Sequence, residues 1–317
     1  MHWSLWCLCI IAGLGILSLI TAFVCFILVF YSGKRKVLGP DEYDIPKGDI
    51  YEVYREDMVA WTKAIRSMPY TEHEIRSFDG LTLRGRYYEY EAGAPIELLF
   101  HGYRGNAERD LSGGVERCFR LGRNVMLIDQ RGSGKSEGHV LSFGINERRD
   151  CRSWVEYAIE HFGNDVKLII GGVSMGAATV MMAAGDPLPS NVIGVLADCG
   201  YTSANEIIKK VVKEMRLPVW IFYPFIKLGA RIFGRFNLEE TSPIEAMRNC
   251  TLPIVFVHGD TDAFVPYDMS VRLHNACASE KKTLITIKGA GHGLAFPADR
   301  DGYVNALKEI RDKWNLK

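Results

Sequence analysis

The sequence has no charged side chain between Leu5 and Tyr31. A run so uniformly apolar lacks the polar face of a helix on a soluble surface. As a helix it reaches about 40 Å, more than a bilayer core requires. Met1-His2-Trp3 offers no Lys or Arg, no small-residue cleavage site follows, and the run outlasts a secretory signal core, so an uncleaved anchor is expected rather than a cleaved signal. Net charge is also absent: 38 Lys+Arg balance 38 Asp+Glu, which speaks against a nucleic-acid-binding surface and against an acidic disordered tail. Cysteine follows no ligand or framework spacing. Of eight, Cys7, Cys9 and Cys25 lie in the apolar start. The other five (Cys118, Cys151, Cys199, Cys250, Cys277) form no CxxC and no Cys/His cluster. A disulfide framework and a structural zinc site are therefore not expected, and free thiols point to a reducing compartment.

Lys34-Arg35-Lys36 directly follows the apolar run. Positive charge tends to stay on the cytoplasmic side, so a single span with a cytoplasmic body is expected. The sequon Asn249-Cys250-Thr251 is a weaker cue in the opposite direction. Residues 1–33 thus read as a transmembrane anchor. Residues 34–70 read as a linker with an early helix over Tyr51–Met68, and residues 71–317 as the globular domain.

Within that domain, Ile75–Phe78 and Leu81–Tyr90 flank an Asp79-Gly80 turn and read as a hairpin. Short apolar strands then alternate with helices. Strands are expected at Ile96–Phe100, Val125–Asp129, Val166–Val173, Val192–Asp198, Ile254–His258 and Leu284–Lys288. Helices are expected over residues 106–121, Asn146–Phe162, Met175–Ala184, Tyr267–Ala278 and Asp299–Trp314. That alternation predicts a mostly parallel central sheet with helices on both faces. No internal repeat is visible. The segment from about 203 to 241 interrupts the pattern and is rich in rings (Trp220, Phe222, Tyr223, Phe225, Phe233, Phe236). It is expected to form a helical cap, most rings packing cap on body and a few lining an apolar acyl pocket or touching the bilayer.

Gly172-Val173-Ser174-Met175-Gly176 is a G-x-S-x-G motif between a strand and a helix. A serine on a sharp strand-to-helix turn needs neighbours without bulk. Its hydroxyl is a poor nucleophile unless a base, oriented by an acid, takes its proton. His292, in Gly289-Ala290-Gly291-His292-Gly293 after the last strand, is the candidate base. Asp262, in His258-Gly259-Asp260-Thr261-Asp262 after the penultimate strand, is the candidate acid. Asp260 is expected to shape the turn, and Asp198, at the end of its strand, is the rival acid. Two amides should hold the oxyanion: that of Met175, next to the serine, and that of Tyr103 in the His101–Gly105 loop. His101 is expected to brace that loop. Gly134-Lys135-Ser136 imitates the end of a phosphate-binding loop, but Asp129 stands where its first glycine is required. Asp129 and Arg131 are expected to pair structurally.

His101-Gly102-Tyr103, Asp129-Gln130-Arg131-Gly132-Ser133-Gly134, Gly172–Gly176, Asp198–Ser203, His258–Asp262 and Gly291-His292 occur in order. In these residues the chain resembles the α/β-hydrolase superfamily, above all its serine-aminopeptidase-like and monoacylglycerol-lipase-like branch with membrane-anchored bacterial members. The resemblance spans about residues 75–315 and implies an α/β-hydrolase fold with the triad Ser174, Asp262 and His292. It leaves the N-terminal span unexplained. Fold alone does not set the substrate. The expected activity is hydrolysis of small to medium or lipid-derived carboxylic esters, with no metal or organic cofactor. Peptide or amide hydrolysis by the same triad, and a non-catalytic binding module, are the alternatives. The expected partners are a small ester or lipid substrate and the membrane, through the N-terminal helix.

Overall fold

The computed structural model describes residues 2–33 and 38–315. Lys34, Arg35 and Lys36, on which the expected orientation rests, lie outside the described residues. The Asp79-Gly80 turn closes a hairpin between β1 (Thr71–Arg76) and β2 (Thr82–Tyr88), with β1 starting earlier than its apolar residues suggest. Six further strands follow: β3 (Ile96–Phe100), β4 (Asn124–Asp129), β5 (Leu168–Val173), β6 (Val192–Asp198), β7 (Ile254–Gly259) and β8 (Lys282–Ile287). They join one sheet in the order β1-β2-β4-β3-β5-β6-β7-β8. The pairs β1/β2 and β2/β4 are antiparallel and all the others parallel.

Alternate strand residues face opposite ways, and both faces are buried. Leu98, Phe100, Met126, Ile128 and Phe256 pack with α5 (Glu147–Phe162), α6 (Met175–Ala184) and α10 (Tyr267–Ala276). On the other face, Leu99, Val125 and Leu127 pack with α3 (Arg55–Ser67) and α4 (Ala107–Arg120), and Leu196, Val255 and Val257 with α11 (Ala295–Ala298) and α12 (Arg300–Trp314). Among these apolar residues, Glu97 of β3 is fully buried and held by Arg117 at 2.6 Å and Arg123 at 2.7 Å.

The early helix is two pieces, not one. The short α2 (Asp49–Glu52) and α3 are separated at Tyr54, whose φ of −108° and ψ of 9° leave helical geometry. Tyr51 in α2 and Tyr54 at the break both line a large cavity. Between β6 and β7 lie α7 (Ala204–Glu214), α8 (Val219–Ile232) and α9 (Pro243–Met247).

The apolar start is one helix, α1 (His2–Val29), long and apolar enough to cross a membrane by length and composition. Its first two-thirds are exposed, whereas Ala22, Cys25, Phe26 and Phe30 near its end are buried against α8. The two helices meet at Gly229, where a Cβ would lie 2.5 Å from the carbonyl oxygen of Ala22. Phe233 packs on Phe23 and Phe26, and Phe236 on Phe30. The expected pairing of Asp129 with Arg131 is not found. The Asp129 carboxylate instead accepts from the amides of Ala107 and Lys135, each at 2.9 Å. The loop turns so tightly around it that a Cβ on Gly134 would meet it at 2.0 Å. Arg131 binds Asp150 at 2.6 and 2.7 Å and Asp79 at 2.9 and 3.1 Å. All eight cysteines are free thiols.

Candidate active site

Ser174 joins β5 to α6 with φ 56° and ψ −113°, a strained conformation for a residue with a Cβ. The two motif glycines show why the turn accepts so little bulk. A Cβ on Gly172 would lie 2.2 Å from the carbonyl carbon of Gly176, and one on Gly176 would lie 2.0 Å from the carbonyl oxygen of Phe100. The Ser174 amide donates to the Asp198 carbonyl at 2.8 Å, tying the turn to the neighbouring strand. Burial leaves the serine 7% exposed.

The loops after β7 and β8 bring two further groups to this turn. Ser174 Oγ is 2.9 Å from His292 Nε2, and His292 Nδ1 is 2.7 Å from Asp262 Oδ2. An ionised carboxylate only accepts, so Nδ1 carries the proton and Nε2 is free to accept from the serine hydroxyl. Burial alone would raise the Asp262 pKa. Hydrogen bonds from His258 and His292, the charge of His292 and the Val265 amide outweigh it and hold this carboxyl well below the usual range. Its four donors are His292 Nδ1, His258 Nε2 at 3.1 Å, and the amides of Phe264 at 2.9 Å and Val265 at 2.8 Å.

Sequence reasoning missed His258. It is fully buried, and its Nε2 also meets the Val265 carbonyl at 2.9 Å, so that nitrogen bears the proton. Ser270 Oγ serves the other ring nitrogen at 2.6 Å. Tyr51, whose hydroxyl donates to the His292 carbonyl at 3.0 Å, was missed as well. Asp260 accepts from the Gly289 amide at 2.6 Å, which ties its loop to the loop that carries His292. Asp198 is bonded elsewhere, accepting from the Tyr303 hydroxyl at 3.0 Å.

Met175 opens α6, so its amide has no partner within the helix. The His101–Gly105 loop runs alongside: a Cβ on Gly102 would lie 3.6 Å from Ser174 Cβ. His101 braces that loop through the Gly102 carbonyl at 2.8 Å and the Gln130 amide at 3.0 Å. Cys199, Asp262 and His292 each offer a donor atom within 4.8 Å of the others. Burial pushes the Cys199 thiol up and keeps it protonated, while Asp262 already accepts four hydrogen bonds, so this trio is poorly suited to an ion.

A cavity of about 900 Å³ opens at Ser174 and His292, at the upper end of the range for small-molecule sites. Ile50, Tyr51, Tyr54, Met58 and Trp61 line it from the segment before the sheet, Leu99 and Leu111 from the body, and Phe264 and Phe296 from late loops. Apart from Tyr103, no ring between β3 and β7 lines it. The expectation that aromatic residues of 203–241 reach an acyl pocket is therefore corrected. Phe233 and Phe236, just after α8, close on Phe23, Phe26 and Phe30 at the end of the N-terminal segment, while the Tyr223 hydroxyl donates to Glu239.

Sheet order and nucleophile turn together are those of the α/β-hydrolase fold, which the chain adopts. Residues 96–228 match the family model described as serine aminopeptidase, S33. An uncharacterized protein of Bacillus subtilis, YqkD, is 24% identical over 309 residues, covering 95% of this chain and 97% of that one. Protein bem46 of Schizosaccharomyces pombe is 29% identical over 251 residues, 77% of each chain. Among solved structures, the Pyrococcus furiosus esterase Pf2001 superposes with a TM-score of 0.66 at 18% identity, covering 90% of this chain and 98% of that one.

Proposed function

We propose that the protein is a serine hydrolase that cleaves carboxylic esters of small to medium or lipid-derived acyl groups. The observation that carries this reading is the unbroken hydrogen-bond chain Ser174–His292–Asp262 at the mouth of a mainly apolar cavity. Ser174 Oγ attacks the ester carbonyl as His292 Nε2 takes its proton. Asp262 holds the imidazole and stabilises its charge. The amides of Met175 and Tyr103 receive the oxyanion. The protonated His292 then gives its proton to the departing alcohol. Water, activated by the same imidazole, releases the acid from the acyl-serine.

Peptide or amide hydrolysis is the second reading, favoured by the match to the serine aminopeptidase model. An aminopeptidase site needs an acceptor for the substrate's terminal ammonium. The acids lining the cavity are Asp49, Asp110 and Asp198. Asp110 is bonded to Arg109 and to the Gly102 amide. Asp198 gives one oxygen to Tyr303 and its Oδ1 has no partner among the described residues, but burial pushes its carboxyl up, which weakens it as an acceptor for an ammonium. Asp49 stands at the exposed rim. That distribution supports the ester. The test is fluorophosphonate labelling, followed by turnover of p-nitrophenyl esters set beside aminoacyl amides. Labelling of Ser174→Ala at the wild-type rate removes the reading. Amide turnover with little ester turnover moves it to the second.

The domain division is 1–33 as anchor, 34–70 as linker and 71–317 as catalytic domain, with the body on the cytoplasmic side. The exposed apolar stretch of α1 and the exposed Trp220 and Ile221 on the outer side of α8 support a membrane-bound chain. Release by carbonate extraction, or a mature N-terminus beginning after residue 29, would exclude the anchor. Digestion by protease added outside intact cells would exclude the orientation.

A further inference from the structure

Four successive carbonyls at the end of α1 terminate on the catalytic body. The Leu28 carbonyl accepts from Arg104 Nη2 at 2.8 Å, and the Val29 carbonyl from the Tyr103 hydroxyl at 2.6 Å. The Phe30 carbonyl accepts from the Leu141 amide at 2.8 Å, and the Tyr31 carbonyl from Arg104 Nη2 at 3.2 Å. A helix leaves its last carbonyls without partners of its own, and its negative end favours a cation. Here two consecutive side chains, one of them a guanidinium, meet both needs, and they come from the loop beside Ser174.

Tyr103 and Arg104 are the two middle residues of a turn closed by the Gly105 amide on the Gly102 carbonyl at 3.1 Å. Arg104 has φ 54°, a left-handed conformation that glycine adopts without penalty and that a side chain opposes. An arginine in that place must be supported by what its side chain holds, and the side chain holds α1. The inner end of the turn is held separately, by Asp110 Oδ2 accepting from the Gly102 amide at 3.0 Å. The Gly102–Tyr103 peptide therefore lies between two fixed points, Asp110 on the body and the carbonyls of α1. The Tyr103 ring, 5.0 Å from that of Phe143, sits in the same cluster as Phe26 and Phe30.

We propose that the end of α1 is the outer brace of the oxyanion loop. The side chains of Tyr103 and Arg104 act as positioning groups that aim the Gly102–Tyr103 amide at the reacting carbonyl beside Ser174. This rests on the serine-hydrolase reading above. The N-terminal helix is then part of the catalytic framework as well as an anchor, and a displacement of α1 reaches the acylation step through two side chains.

The experiment uses the full chain in lipid nanodiscs, with p-nitrophenyl butyrate as substrate. Arg104→Gly removes the tether but leaves a residue that suits the turn, so a purely local role for Arg104 predicts unchanged turnover and equal or greater stability. Tyr103→Phe removes one hydroxyl and keeps the ring. The double variant is expected to lose about tenfold to a hundredfold in kcat with KM within about twofold, a fraction of what losing an oxyanion donor costs. Arg104→Lys, which restores a charged donor, should recover part of the Arg104→Gly loss. Wild-type kcat in Arg104→Gly and in the double variant, at an unchanged melting temperature, overturns the proposal, as does a loss confined to KM. Ser174→Ala runs in parallel. Its inactivity leaves the serine-hydrolase reading standing whatever the tether variants do, and its undiminished turnover removes that reading itself.

Discussion

The phenol of Tyr51 donates to the main-chain carbonyl of His292 at 3.0 Å, across 241 positions of sequence. Burial, with the nearby carboxylates of Asp110 and Asp262, pushes its pKa up to about 12, so the phenol stays a donor throughout neutral pH. The segment that leaves α1 thus supports the backbone of the proposed base. Tyr51→Phe keeps the ring and loses one neutral hydrogen bond, worth about 0.5–1.5 kcal/mol. The expected outcome is a fall in kcat/KM of about twofold to tenfold. Because Tyr51 does not titrate near neutrality, the loss should be the same from about pH 6 to about pH 9. A loss that changes across that interval would assign Tyr51 a different role.

Asp262 accepts four hydrogen bonds, two from histidines and two from amides. Asp262→Asn replaces an acceptor with a group that also donates, which favours the wrong tautomer of His292. A fall in kcat of about a thousandfold to ten-thousandfold is expected on ester substrates, from the behaviour of serine hydrolases in general. The depressed pKa has a second consequence. A carboxyl held below its unfolded value contributes stability above that value and loses it as pH falls through the folded one. The gap in melting temperature between wild type and Asp262→Asn should therefore shrink in acid. A gap that widens in acid contradicts this.

Two glycines beside Ser174 should behave in opposite ways. A Cβ on Gly176 meets the Phe100 carbonyl oxygen at 2.0 Å, an immovable strand atom. Gly176→Ala should therefore give little soluble or membrane-inserted folded protein. On Gly102 the nearest atoms are Asp110 Oδ2 at 3.3 Å and Ser174 Cβ at 3.6 Å, so Gly102→Ala should fold. Its methyl lies against the serine, and labelling by fluorophosphonate should slow. A folded, fully reactive Gly176→Ala would show that the turn is less tightly built than these distances require.

These glycines also show how far the sequence could be read. A nucleophile turn needs small residues next to one another along the chain, so residues 172–176 announce it locally. Asp262 and His292 were reached through chain order, because loops after successive parallel strands end at the same edge of the sheet. Tyr51, His258 and the side chains of Tyr103 and Arg104 left no such trace. Their contacts depend on which distant backbone carbonyl or carboxylate arrives beside them. The rings of 203–241 mark apolar burial but do not name the partner, which for Phe233 and Phe236 proved to be the end of the N-terminal segment rather than the cavity. Likewise, Asp129 and Arg131 are two apart in a tightly turning loop, and each is satisfied by other groups.

Glu97 is a test of the buried charge beneath the sheet. Burial disfavours its ionised form, but Arg117 and Arg123 more than offset this and bring its pKa down to about 2 from 4.5. The difference corresponds to roughly 3 kcal/mol of stability at neutral pH. It is fully present above about pH 4.5 and disappears as pH falls towards 2. Glu97→Gln leaves Arg117 buried without its counter-ion and should destabilise by about 3–5 kcal/mol at pH 7. Denaturant unfolding at pH 7 and pH 3 should show the difference from wild type narrowing in acid. Equal differences at both values would mean that Glu97 contributes by shape rather than charge.

Gly229 controls the join between α1 and α8. A Cβ there stands 2.5 Å from the Ala22 carbonyl oxygen and 3.1 Å from Phe26 Cβ, so even alanine must push the helices apart. Overpacking of this kind typically costs about 1–3 kcal/mol. Cys25, 7% exposed in the same contact, reports the opening directly. Gly229→Leu should make Cys25 react with a maleimide about tenfold faster or more, read by peptide mass mapping so that Cys7 and Cys9 are counted separately. Because the end of α1 holds Tyr103 and Arg104, turnover should fall together with the gain in Cys25 labelling. Faster labelling with undiminished turnover would mean that the buried part of α1 and its bonded end move independently.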